Sequence, residues 1–120
     1  MHVDASVAQR VAELTRDDTP AVRKEACATL ALLRGPPAFD ASASLLSALN
    51  DDAAEVRQEA AAALGDLQVE GAAVALASAL DDPHPAVRFE AAYALAAVGD
   101  GSGRDVLEAA LFSPAFRAYA

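Results

Sequence analysis

Tryptophan is absent from this sequence, cysteine occurs once, at Cys27, and histidine twice, at His2 and His84. A single thiol excludes an intrachain disulfide, and the two histidines add no Cys/His cluster of the kind that holds zinc. Cations are scarce as well. Nine Lys and Arg face eighteen Asp and Glu, a net charge of −9, whereas binding to a phosphate backbone relies on grouped Lys and Arg. A nucleic-acid partner is therefore not expected; the acidity favours solubility and, weakly, a basic partner. Long apolar runs are missing too: AAAAL at 60–64 and AAVALASAL at 72–80 fall far short of the ~20 residues that span a bilayer. The opening MHVDASVAQR has no basic segment followed by an apolar core, so it does not read as a secretory leader. A cytoplasmic protein with no membrane contact is expected.

What the sequence has in abundance is alanine. Hydrophobic residues make up 54% of the chain while aromatics make up 5%, so small side chains supply much of the apolar content. Alanine is the best helix former and loses no side-chain entropy on folding. β-branched residues are sparse, which argues against sheet.

These residues are organised in a repeat. DDTPAVRKEACATLALL (17–33), DDAAEVRQEAAAALGDL (51–67) and DPHPAVRFEAAYALAAV (82–98) share the frame D-x-x-x-x-V-R-x-E-A-x-x-x-L-x-x-[L/V]. It aligns Asp17/Asp51/Asp82, Val22/Val56/Val87, Arg23/Arg57/Arg88, Glu25/Glu59/Glu90, Ala26/Ala60/Ala91 and Leu30/Leu64/Leu95, with 34 and then 31 residues between successive arginines. Before each frame lies a shorter one-sided helical stretch, at 6–14, 43–49 and 72–80, and a fourth, DVLEAALF, occupies 105–112. The unit is thus a helical hairpin: a first helix, a tight turn carrying Asp, and a second helix starting at the Pro or Ala before V-R. Pro20 and Pro85 suit a first helical turn, the aspartates are expected to accept from its free N–H groups, and Gly35, Gly71 and Gly99 or Gly101 are expected near helix ends.

One hairpin cannot bury both its apolar sides, but stacked hairpins cover one another. Val22, Ala26, Leu30 and Leu33 form a core stripe, repeated by Val56, Ala60, Leu64 and Leu67 and by Val87, Ala91, Leu95 and Val98. The expected fold is all-α: an α-solenoid of stacked helical hairpins, three full units plus a truncated fourth. A single domain over 1–120 is expected, with units at about 5–35, 40–69, 71–99 and, in part, 103–120. GPPAFDASAS at 35–44 predicts a longer join, since paired prolines cannot continue a helix. Pro114, Phe116 and Arg117 repeat Pro85, Val87 and Arg88 at a spacing of 29, which reads as the start of another second helix in a fragment or an abbreviated end.

The three aligned stretches resemble the short HEAT-like repeats, whose units have this length, found in phycobilin lyase subunits and many bacterial adaptor proteins. The resemblance covers residues 5–112 and implies an α-solenoid that binds other proteins on the concave face formed by the second helices. Deoxyhypusine hydroxylase is similar to this repeat too, but carries iron-binding His-Glu pairs after V-R. The dipeptides here are Lys24-Glu25, Gln58-Glu59 and Phe89-Glu90, and without histidine that mixed-ligand chemistry is rejected.

Other catalytic readings are equally thin. His84 aligns with Thr19 and Ala53, so it reads as an exposed turn residue. The Asp and Arg columns recur at one offset of six, as architecture does, and predict a ladder of turn carboxylates and guanidiniums within or between neighbouring units. Cys27 aligns with Ala61 and Ala92 and reads as a small packed residue. GDGSG at 99–103 follows a helical stretch and lacks the Lys-Ser/Thr of a P-loop. Neither a catalytic residue nor a cofactor or metal site is expected.

Surfaces remain. Beside the core stripe of the third unit runs a second one, Phe89, Tyr93 and Ala97, matched by Gln58, Ala62 and Asp66 and by Lys24, Ala28 and Leu32. Phe89 and Tyr93 read as interface anchors beside Ala62, Gln58 and Lys24, with Glu25, Glu59 and Glu90 making the face acidic and attractive to a basic helix or peptide. The alternative for the two aromatics is packing on Leu107 and Leu111 of the next first helix. The leading expectation is a non-enzymatic scaffold for another protein. An enzyme's accessory domain, holding a substrate protein or chromophore as the lyase resemblance allows, is the alternative. Self-association through the unfinished fourth unit is a third reading.

Overall fold

A computed structural model describes residues 5–33, 40–69 and 71–98, together with Glu108 and Phe112. Among the described residues there are six α-helices and no strand: α1 (Ala5–Leu14), α2 (Pro20–Leu33), α3 (Ser42–Ala48), α4 (Ala54–Asp66), α5 (Ala73–Ala79) and α6 (Pro85–Val98). They pair as hairpins α1–α2, α3–α4 and α5–α6, and the second helices pack in sequence, α2 on α4 and α4 on α6. The protein is an α-solenoid. Of the expected fourth unit, Glu108 is helical and Phe112 lies in a turn, both exposed; Leu107, Leu111 and the Pro114–Phe116–Arg117 match fall outside the described residues, as does most of the proline-rich join.

The repeated frame positions the core. Leu30, Leu64 and Leu95 occupy equivalent places in α2, α4 and α6 and are fully buried, as are Leu45 of α3 and Leu76 of α5. Each such leucine contributes about 2 kcal/mol by leaving water. Alanines at i+4 spacing let the helices approach: Ala26, Ala60 and Ala91 are buried one turn before those leucines. The stripes end in Leu33, Leu67 and Val98, which are half-buried, as Val22 is at the head of the first.

The turns between paired helices share one bonding scheme. The first helix tightens as it ends, with Asp17 N–H donating to Leu14 O, Asp51 N–H to Ala48 O and Asp82 N–H to Ala79 O at 3.1 Å. Each of these aspartates then accepts, at 2.9 Å, from the N–H two residues on: Thr19, Ala53 and His84. The carboxylates therefore close the turn one step ahead of the second helix and do not cap its first turn, the role the sequence suggested. The carbonyls of Thr19, Ala53 and His84 open the helix instead, each accepting from two N–H groups, those of Val22 and Arg23, Val56 and Arg57, and Val87 and Arg88.

The end of α4 also departs from expectation. Gly71 has φ +83°, but Gln68, at φ +50°, is the residue that stops the helix. Gln68 N–H donates to Gly65 O and Val69 N–H to Leu64 O, the paired closure that requires a left-handed residue just past the helix. Its side-chain amide reaches Ala97 O at 3.3 Å, tying the end of α4 to α6.

Candidate functional site

α4 and α6 come together at Gly65. A Cβ there would lie 2.8 Å from Ala94 Cα and 3.0 Å from Ala94 Cβ, so only glycine permits this approach. On the same side of the pair runs an open groove of 260 Å³, floored by Ala62, Gly65, Ala94 and Ala97 and edged by Asp66, Phe89, Glu90 and Tyr93. Phe89 and Tyr93 stand one turn apart on α6, their ring centroids 4.8 Å apart and tilted by 57°. Phe89 is half-buried, whereas Tyr93 is 64% exposed. Burial pushes the Glu90 carboxyl above the ordinary glutamate range, and the charges of Glu59 and Asp66 push it further in the same direction.

The turn residues form a ladder. Arg23 donates Nε and Nη2 to the two oxygens of Asp51 at 2.8 and 3.0 Å, and Arg57 does the same to Asp82 at 2.8 and 3.2 Å. The carboxylate thus comes from the next hairpin. Within its own hairpin each arginine uses Nη1 to bond a backbone carbonyl: Arg23 to Asp17 O, Arg57 to Asp51 O and Arg88 to Asp82 O, at 2.7–2.8 Å. Burial opposes the charged form of Asp82, but the Arg57 hydrogen bond, the His84 N–H and the charges of Arg57 and His84 outweigh it and hold the carboxyl below its usual value. Asp51 follows the same pattern with Arg23 and Ala53. Arg88 is 9% exposed, and its Nε has no hydrogen-bond partner.

A sequence profile of the family described as HEAT repeats matches residues 42–118. The chain belongs to the HEAT-repeat family. No curated protein matches it. HEAT repeats mediate protein–protein interaction and are typically non-catalytic. The α1–α2 hairpin precedes the matched residues, yet its Asp17 turn and Arg23 bonds follow the scheme of the two HEAT hairpins after it. No described helix is long and apolar enough to cross a membrane.

In this HEAT array the sequence-singled residues do not all meet. Phe89, Tyr93, Ala62 and Glu90 converge on the groove, with Glu59 near enough to act on Glu90. Gln58 is half-buried on α4 outside the lining, and Lys24, half-buried, and Glu25, exposed, sit on α2. Gly65 and Ala94 were missed. The signal lay in the alignment: Gly65 stands where the sibling helices carry Ala31 and Ala96, and an isolated glycine within a helix usually has a packing reason.

The remaining polar groups have structural work. His84 is exposed, with Nδ1 3.3 Å from Arg57 Nη2 and 3.8 Å from Asp82, and its backbone closes the turn. Cys27 is wholly buried; burial first, then the charges of Glu59 and Asp51, push its thiol up to about 11, so it stays protonated and a poor nucleophile at neutral pH.

Proposed function

We propose that this HEAT array is a non-catalytic interaction module that binds a protein or peptide across the face formed by α2, α4 and α6. The observation that carries the reading is the α4–α6 groove, where an exposed tyrosine and a half-buried phenylalanine stand over an alanine and glycine floor. Aromatics held on a rigid platform make strong anchors, because little side-chain freedom is lost on binding. Further along the same face Leu32 is 82% exposed, a second apolar contact on the equivalent stripe of α2. The resemblance to the HEAT-like repeats implies in addition that the second helices form the concave face.

Affinity capture with the full chain tests this. A partner retained by the native protein and lost by the Phe89→Ala/Tyr93→Ala variant, at unchanged circular dichroism, is the expected result. Added salt weakens the complex, because the rim is acidic. A double variant that is less stable yet captures the same partner with equal affinity overturns the site.

A further inference from the structure

No cation among the described residues pairs with the acidic rim of the α4–α6 groove. Among the described residues the ion pairs are Arg23–Asp51, Arg57–Asp82 and His84–Asp82, and none includes Glu59, Asp66 or Glu90. Asp66 comes from the last turn of α4 and Glu90 from the second turn of α6, and both line the groove beside Tyr93. One wall is thus an aromatic face, two edges are carboxylates and the floor is close-packed backbone. The volume of 260 Å³ suits one long side chain, not a whole helix.

Resting on the interaction reading above, we propose that the groove receives an arginine side chain of the partner, its guanidinium plane on Tyr93 and its N–H donors shared by Glu90 and Asp66. The chemistry favours arginine over the alternatives. An apolar side chain would strip water from two carboxylates and offer them nothing. An anion is repelled by both of them and by the nearby Glu59. A lysine ammonium can meet one carboxylate, but it is compact and strongly hydrated, whereas a guanidinium is planar, stacks on rings and donates along two edges at once. Neutralising Glu90 also relieves its repulsion with Glu59 and Asp66, so the cation gains more here than on an isolated surface glutamate.

The test is an NMR titration of the full chain with acetyl-arginine amide and, separately, acetyl-lysine amide. The arginine probe is expected to shift the Tyr93 ring and the amides of 62–66 and 89–97, binding about fivefold more tightly than the lysine probe. Tyr93→Ala and Glu90→Gln are both expected to remove the preference; Tyr93 is exposed, and unchanged amide spectra elsewhere show that each variant is folded. Shifts scattered evenly over the acidic surface, equal for the two probes and indifferent to Glu90→Gln, overturn the proposal. A partner captured by the native chain and lost in the double variant, with no arginine shifts at the groove, overturns this inference and leaves the interaction reading standing.

Discussion

Gly65 shows how much one missing methyl decides. Replacing it by alanine gains about 1 kcal/mol of helix propensity, which on an exposed helix would stabilise the protein. Here the new Cβ meets Ala94 Cα at 2.8 Å, and backbone cannot swing aside as a flexible side chain would. Overpacking of this kind costs about 1–3 kcal/mol, so Gly65→Ala is expected to lower the urea midpoint and to spread the groove. A raised midpoint would show that α4 and α6 separate freely. Periodicity alone could not reveal this contact, because it depends on which turn of α4 faces which turn of α6. The departure of Gly65 from its alanine siblings was the only mark left in the chain.

The hairpin is the element the sequence displayed best. Asp, Pro, Val, Arg and Leu recur in register, so the helix starts at Pro20, Ala54 and Pro85 and the core leucines were legible in the sequence. The offset of six between Asp and Arg was legible as well, and with it a ladder between neighbouring units; not legible was that the same guanidinium also bonds the backbone of its own turn while it meets the carboxylate of the next. This scheme separates two arginines that look equivalent in sequence. Arg57→Leu leaves the Asp82 side chain, 9% exposed, without its counter-charge; a cost of about 2 kcal/mol is expected, solvent at the turn edge keeping it below that of a fully buried pair. Arg88→Leu gives up, among the described residues, one hydrogen bond, to Asp82 O, and removes a buried Nε that has no partner, so its stability should stay within about 1 kcal/mol of the native protein or exceed it. Denaturant midpoints of the two variants decide the matter, and equal losses would mean that Arg88 too holds a carboxylate.

For the whole molecule the same groups set the response to acid. Asp51 and Asp82 titrate below their ordinary value in the folded chain, so between the folded and unfolded values the unfolded chain binds more protons. Their contribution is present above about pH 4 and is lost as pH falls through the folded values. Glu90 acts in the opposite sense. Its folded value is raised, so its ionisation costs stability as pH climbs past the ordinary glutamate range. Unfolding free energies measured from pH 3 to 7 should fall steeply below about pH 4, and Glu90→Gln should be more stable than the native protein at pH 7. A Glu90→Gln variant no more stable than the native chain would mean that the three carboxylates do not strain one another. The groove itself was only half legible: the aromatic pair stood out by contrast with Lys24 and Gln58, while the convergence of Asp66 and Glu90 beside it follows from the angle at which two helices cross.

The arginine rungs all lie along the edge where first helices turn into second ones, and they bind the hairpins as a spine binds pages. Gly65 lies eight residues beyond Arg57 on α4, about 12 Å along the helix from that spine. There the leaves meet through small apolar atoms and the hydrogen bond from Gln68 to Ala97. Sliding of one hairpin past the next breaks charged pairs, and fanning about the spine opens the Gly65–Ala94 contact and breaks the Gln68 hydrogen bond. The ladder therefore fixes the register of the units while the close contact at Gly65 fixes the width of the groove, so a guest side chain meets a floor that is already in place.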